Sequence, residues 1–312
     1  MKTKRLFAPP AFRSTFATAV AAVLLAAAAP AARGEWVLEF QNASDAVDMG
    51  TSYFHYSSDP AIRYGTPMSI ESRVTICVWL KNPTPNPQAS GYGLDLCDIV
   101  GTFYYGGGSG GFGIGMSRSN GKWGFGAQTR HYGGSLNEPT PWTDATDLAS
   151  DDRWHHLALV YESGVGYRLY LDGGLVSEKA CTGGDFTSQW NFSLGAKNWN
   201  SFLGRMADVS LFNVALPEER IAEYAKRRLL GNEANEAGLV GYWPLNEGEG
   251  ATTVLDRVDL DACFAGWTSN NGRSKHNGTI GSTGPVWVQD ETFRVPDWNG
   301  WKGQRATLIL VK

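Results

Sequence analysis

Residues 153–176 read RWHHLALVYESGVGYRLYLDGGLV, and the adjacent pair His155–His156 is the first place where chemistry could sit. The chain has only five histidines, and two of them stand side by side next to Trp154. Imidazoles bind metals and move protons near neutral pH, so the pair raises a metal site or a catalytic base. The pattern around it argues against both. WHHLALVY reads as a strand, in which successive side chains point to opposite faces. Trp154, His156, Ala158 and Val160 then share one face, and His155, Leu157, Leu159 and Tyr161 share the other. Neighbours on a strand cannot ligate one metal or act on one substrate, so the pair is read as structural.

Carboxylates are the next candidates. Retaining glycoside hydrolysis needs two carboxyl groups about 5–5.5 Å apart. Glu247 and Glu249 are spaced by two, but they lie in the glycine-rich turn NEGEG, and Asp259 and Asp261 lie in the probable-loop stretch DLD. The Gly-x-Ser-x-Gly spacing occurs only inside the glycine run GGGSGG, with no helix pattern after it, so there is no nucleophile elbow, and there is no His-Glu-x-x-His helix. These absences point away from an enzyme. Aromatic side chains on loops are a different matter, because pyranose rings stack on aromatic faces beside polar groups. Tyr104, Tyr105, His131, Tyr132, Trp142, Trp190 and Trp199 all fall between strand-like stretches and are the candidate ligand-binding residues.

The elements that must hold these residues are mostly strands. WVLEF (36–40), VTICVWLK (74–81) and DIVGTFYY (98–105) read as strands, and the prolines of NPTPNPQ end the second. GFGIGMS and KWGFGAQ alternate, and the Asn-Gly pair between them favours a type I′ hairpin. Residues 131–152 read as a long polar loop. WHHLALVY, YRLYL and GLVSEKA form a three-stranded meander with turns at ESGVG and DG. FSLGA and GRMADVSLFN follow. LPEERIAEYAKRRLLG (216–231) is the one clear helix, with Pro217, Glu218 and Glu219 in its first turn and Gly231 as C-cap. Its basic KRR is read as a solvated helix end. Further strands lie in GLVGYWPLNEGEG, ACFAGW and GPVWVQDETFRV. Trp79, Trp154, Leu169, Leu171, Leu211 and Phe212 are the core candidates.

Composition agrees: 38 glycines and 12 tryptophans suit strands joined by tight turns. Residues 1–32 read as a secretory signal, with a basic start, the apolar run STFATAVAAVLLAAAA and small residues near Ala31. Removing its four basic residues leaves 23 basic against 31 acidic, a net charge of −8. An acidic surface argues against nucleic acid as partner. No stretch after the signal is long and apolar enough to span a bilayer. The expected location is therefore secreted, periplasmic or cell-surface. The four cysteines, Cys77, Cys97, Cys181 and Cys263, permit two disulfides in three connectivities. Cys77–Cys97 is favoured, because their stretches could form neighbouring strands, and that leaves Cys181–Cys263.

Taken in order, RWHHLALVYESGVGYRLYLDGGLV, FSLGA and FLGRMADVSLFNVALPEERIAEYA resemble the second half of a laminin-G-like domain of the concanavalin A type. WVLEFQNASDAVDMG and VTICVWLK resemble its first half. The resemblance implies an all-β jelly-roll sandwich of two antiparallel sheets with one short helix. It covers roughly 36–290, which gives a signal peptide at 1–32, a sandwich at 33–231, closing strands or a degenerate second copy at 232–290, and a tail at 291–312. The architecture also hosts laminarinase-type glucanases, whose Glu-x-Asp-x-x-Glu strand is missing here. The family further implies calcium near the rim, held by Asp45 or Asp48 in the first turn and by Asp208 before the helix. Where the family usually has two adjacent acids, this chain has Ala207–Asp208. The resulting expectation is an exported, non-catalytic module that binds a glycan or a cell-surface protein. A structural envelope or matrix protein is the alternative, and a glycoside hydrolase comes third.

Overall fold

The computed structural model describes residues 34–49, 70, 72–85, 96–102, 111–120, 122–130, 142–181, 192–195, 201–229, 238–258 and 277–293. Over these residues the chain is a jelly-roll sandwich of two eight-stranded sheets. In chain order the strands are β1 (Glu35–Phe40), β2 (Ala46–Asp48), β3 (Arg73–Thr84), β4 (Leu96–Gly101), β5 (Gly111–Ser119) and β6 (Lys122–Arg130). Then come β7 (Trp142–Asp144), β8 (Trp154–Glu162), β9 (Gly166–Leu171), β10 (Gly174–Ala180), β11 (Ser193–Gly195) and β12 (Leu203–Phe212). The last four are β13 (Leu239–Trp243), β14 (Thr253–Val254), β15 (Gly278–Ile280) and β16 (Val286–Asp290). The first sheet runs β10-β9-β8-β3-β12-β1-β16, with β13 also paired to β12; the second runs β14-β15-β2-β11-β4-β5-β6-β7.

Turn chemistry sets the meander β8–β9–β10. Asp172 and Gly173 take φ of 51° and 84°, the left-handed pair that an Asp-Gly hairpin turn needs. A Cβ at Gly173 would also come within 3.0 Å of Ala222 Cα, so the glycine lets the helix α1 (Glu218–Tyr224) lie against this turn. Asn120 likewise has φ 51° between β5 and β6.

Between the sheets, Leu38, Ile76, Val78, Leu157 and Leu159 meet Val47, Ile114, Phe125 and Leu194, all fully buried. Burial of each such side chain contributes about 1.5–3 kcal/mol. Among the core candidates, Trp79, Leu169, Leu211 and Phe212 are buried, and Trp154 and Leu171 are half-buried at the margin. The first sheet is covered on its other face as well. Tyr224 of α1 stacks on Phe212 at 5.7 Å between centroids. Val37, Trp79, Ala207 and Phe293 form a separate apolar cluster, edged by Trp154 and Val288. Both faces of β8 are therefore buried, from His155 through Tyr161.

Three expectations need correction. The helix spans Glu218–Tyr224 and is capped by Ala225, instead of running over 216–231. Beyond it the chain turns inward, and Arg228 is only 4% exposed, not a solvated helix end. Cys77 and Cys97 form no disulfide, because Cys77 shares the face of β3 with Trp79, turned away from the second sheet in which Cys97 lies. Cys181 is also a thiol, its Sγ lying 3.8 Å from the Glu162 carbonyl, and Cys263 lies outside the described residues.

Past α1 the chain closes the sandwich. β13 pairs with β12, β15 with β2, and β16 with β1, so that Glu35 stands opposite Asp290. Asp290 is 2% exposed and receives Arg205 at 2.7 Å and Lys81 at 3.4 Å. This ionic knot ties β16 to β3 and β12.

Candidate binding face

Residues in register across an antiparallel sheet share a face. In the second sheet one such row runs Thr253, Thr279, Asp48, Ser193, Gly101, Gly113. The next rows are Asp98, Gly115, Gly126, Trp142 and then Leu96, Ser117, Gly124, Asp144. The intervening positions Phe112, Ile114, Met116 and Phe125 point into the core. That side of β4–β5–β6 thus carries five glycines, all buried, and its exposed part is formed by Ser117, Trp142 and Asp144. A Cβ on Gly124 would run into the Trp142 ring, and the indole N–H donates to the Ser117 carbonyl at 3.2 Å. Trp142 keeps a partly exposed ring. Its backbone N–H donates to Ser177 Oγ of β10 at 3.2 Å, which fixes its strand against the first sheet. On the same face Lys122 reaches Asp144 at 2.8 Å, and the hydrogen bonds from Lys122 and Thr146 hold the Asp144 carboxyl below the usual carboxylate range.

One end of this sheet is marked by the bonds Met49 N–H to Phe192 O and Thr102 N–H to Phe112 O, each 2.9 Å. The described chain breaks off near this end after Met49, Thr102 and Arg130, and resumes there at Trp142 and Phe192. Tyr104, Tyr105, His131, Tyr132 and Trp190 lie outside the described residues. Trp199 lies outside them too. Of the seven candidate ligand residues, Trp142 is the one the structure places on a described surface.

The acidic candidates do not converge. Asp45 is buried, and its Oδ2 accepts the Gln41 and Asn42 amides at 2.7 and 2.9 Å, which closes its own turn. Asp48 faces outward in the row with Thr279 and Ser193. Asp208 lies four residues along β12 from Gly204, the residue opposite Phe40, which is about 13 Å of strand. Its carboxylate accepts the Tyr242 hydroxyl at 2.6 Å and forms an ion pair with Arg228, whose Nε lies 3.2 Å away. Among the described residues no group of three or more His, Cys, Asp and Glu side chains is arranged to hold a metal ion.

Nor do the paired carboxylates meet. Glu247 turns inward, accepting the Leu255 amide at 3.1 Å, while Glu249 is exposed. Asp259 and Asp261 lie outside the described residues. The two histidines occupy separate environments, as the strand pattern requires. His156 packs on Trp79 at 5.4 Å, and burial pushes its pKa down to about 4. The His155 ring is held between Asp172 and Asp151, 2.8 Å from each.

Two features escaped the sequence reading. The glycine-lined side of β5 and β6 was signalled by glycine at every second position in GFGIGMS and KWGFGAQ. The Asp151–His155–Asp172 clamp had no such signal, because its strand histidine meets two carboxylates that come from separate loops on either side of it.

A family model described as the concanavalin A-like lectin/glucanases superfamily, Laminin_G_3, matches residues 56–222, more than half of the chain. No match is found among curated protein sequences. Among solved structures, a Bacteroides ovatus protein proposed to bind carbohydrate aligns at 17% identity with a TM-score of 0.50, covering 82% of this chain and 60% of its own. This chain therefore spans less than two thirds of that protein. Domain 4 of an extracellular arabinanase from Geobacillus stearothermophilus, solved with arabinotriose, aligns at 17% identity over 51% of this chain and 69% of its own, with a TM-score of 0.33. A pentraxin from Limulus polyphemus aligns at 13% identity over 65% of this chain and 79% of its own, with a TM-score of 0.34. Identities this low speak to the fold alone.

Proposed function

The chain belongs to the concanavalin A-like lectin/glucanase superfamily, and on that premise we propose that it is an exported, non-catalytic module that binds carbohydrate. The observation that carries the reading is Trp142, a partly exposed indole laid on the glycines of β6 and bordered by Ser117 and Asp144. A sugar ring offers an apolar face for such an indole and hydroxyls for the polar groups beside it. Tyr104, Tyr105, His131, Tyr132 and Trp190, which lie outside the described residues, are proposed from the sequence alone as further contacts. Export is proposed from the signal-like residues 1–32. No helix among the described residues is long and apolar enough to cross a membrane. The non-catalytic reading is supported by the separation of Glu247 from Glu249 and by the lack of a Glu-x-Asp-x-x-Glu strand.

The test is a glycan array probed with the purified protein, in calcium and again in EDTA. Selective signal in both buffers supports a lectin that needs no metal. Selective signal lost in EDTA keeps the carbohydrate reading and adds a metal to it. A blank array in both buffers contradicts the reading for the sugars displayed.

A further inference from the structure

The surroundings of Asp208 are built like a cation cage. Asp208 has φ 52° and sits where the β12–β3 register jumps from Ala207–Trp79 to Ser210–Cys77. It also marks the point along β12 where β1, paired to Gly204–Met206, gives way to β13, paired to Val209–Phe212. Three oxygen-bearing groups turn towards this point. They are the Asp208 carboxylate, the Tyr242 hydroxyl 2.6 Å from it, and the Pro244 carbonyl, which accepts the Asp208 amide at 3.3 Å. Arg228 enters among them. Its Nε lies 3.2 Å from Asp208 Oδ1, its Nη2 donates to the Pro244 carbonyl at 3.1 Å, and its guanidinium stands 5.2 Å from the Phe293 ring centroid. Both charged side chains are nearly sealed, 4% exposed for Asp208 and 5% for Arg228.

The resemblance to laminin-G-like domains implies calcium held in part by Asp208. The donor set here does not fit it. Calcium takes about 6–8 oxygen ligands, mostly carboxylate and carbonyl. Ala207 offers no carboxylate, and the Asp45 oxygens are spent on their own turn. A guanidinium already balances the one carboxylate present. A divalent ion added to that neutral, sealed pair would leave two uncompensated charges in the interior, which is strongly unfavourable.

We infer that Arg228 is the resident cation of this site, a side chain of the protein itself standing where a metal ion would otherwise join the segments. Its rigid fork of donors reaches a carboxylate on β12 and a carbonyl just past β13, and its flat face covers Phe293 near the end of β16. One side chain thereby ties the stretch after α1 to β12, β13 and the closing end of the chain. The fold is accordingly independent of calcium at Asp208, and removing the arginine leaves a vacant cation site.

The test is thermal unfolding of the purified wild type, Arg228→Ala and Asp208→Asn in calcium, in EDTA, and with millimolar ethylguanidinium. The wild-type midpoint is expected to be the same in calcium and EDTA. Arg228→Ala is expected to lose about 10 °C, the scale for breaking a buried ion pair in a domain of this size. Added ethylguanidinium is expected to restore part of that loss, calcium is expected not to, and Asp208→Asn in the same chain is expected to abolish the restoration. The inference is overturned if the wild type is destabilised by EDTA and Asp208→Asn removes that sensitivity. It is equally overturned if Arg228→Ala unfolds at the wild-type temperature, or if ethylguanidinium does not restore a destabilised Arg228→Ala. Should Arg228→Ala fail to fold, calcium titration calorimetry of wild type against Asp208→Asn decides: identical heats support the inference, and calcium heat lost with Asp208 sinks it.

Discussion

His155 offers the most exacting check on the packing described above. Its ring is 3% exposed, with Nδ1 2.8 Å from Asp172 Oδ2 and Nε2 2.8 Å from Asp151 Oδ2. Two carboxylates can both be satisfied only if both ring nitrogens carry protons, which makes the ring an imidazolium. The hydrogen bond to Asp172 leads, burial opposes it, and Asp151 adds to it, so the pKa is raised above the ordinary 6.5. A raised pKa means stability that is complete below 6.5 and lost as pH climbs through the folded value. Asp172 sets the acid limit. Burial pushes its carboxyl up, but His155 and the His156 amide outweigh that, so its contribution is complete above 3.8 and fades as pH falls through its lowered value. His155→Gln keeps roughly the size of the side chain but loses the charge and one of the two bonds. Hydrogen bonds to charged groups contribute about 1.5–3 kcal/mol each, so the loss near pH 6 is about 2–4 kcal/mol, or roughly 5–15 °C of midpoint. Neighbouring groups leave the alkaline range clear, since His156 is held down to about 4 and burial pushes the Cys77 thiol up to about 12. Circular-dichroism melts of both proteins from about pH 5.5 to about pH 9 are therefore expected to converge as pH rises. Melts separated by the same interval across that whole range would refute the clamp as a charged latch.

Other consequences are open to simpler assays. Asp290→Asn removes the anion shared by Lys81 and Arg205, and is expected to cost about 3–5 kcal/mol in urea unfolding. Burial pushes the Asp290 carboxyl up, but the bonds from Thr292 and Arg205 bring it to about 2, so wild-type stability should fall with pH below its unfolded 3.8 and the variant's should fall less. Gly124→Ala drives a methyl into the Trp142 ring and the Thr143 carbonyl, and is expected to lose about 1–3 kcal/mol and to disturb indole fluorescence. Cys77 and Cys97 are buried thiols, so a thiol reagent should leave both unlabelled in the native protein and label both in denaturant.

The sandwich was legible because its long elements repeat a pattern over many residues. β8 and β9 alternate, Asp172–Gly173 announces its turn, and Asn120 announces the β5–β6 hairpin. Strands of two or three residues, such as β2, β7, β14 and β15, are too short to display a period of two. β7 accordingly vanished into the polar loop expected over 131–152, and with it the register that sets Trp142 opposite Gly126. The inward turn of Arg228 could not be read from KRR, because its partner Asp208 is twenty residues away and Tyr242 fourteen. The Cys77–Cys97 expectation failed for a related reason. Adjacent stretches of a jelly roll often lie on opposite sheets, and the chain changes sheet between Thr84 and Leu96, with Cys77 turned away from the second sheet. Long-range contacts of this kind follow from topology, which local pattern does not determine.

The central claim is that the face carrying Trp142 binds carbohydrate without cleaving it. The most direct measurement incubates wild type and Trp142→Ala with a panel of immobilised polysaccharides, recording retained protein and released reducing ends together. The account predicts selective retention of the wild type, retention weakened at least about tenfold in Trp142→Ala, the scale of one lost stacking contact, and no sugar released by either. Equal retention of both proteins, no retention on any polysaccharide, or reducing ends accumulating with the wild type would contradict it.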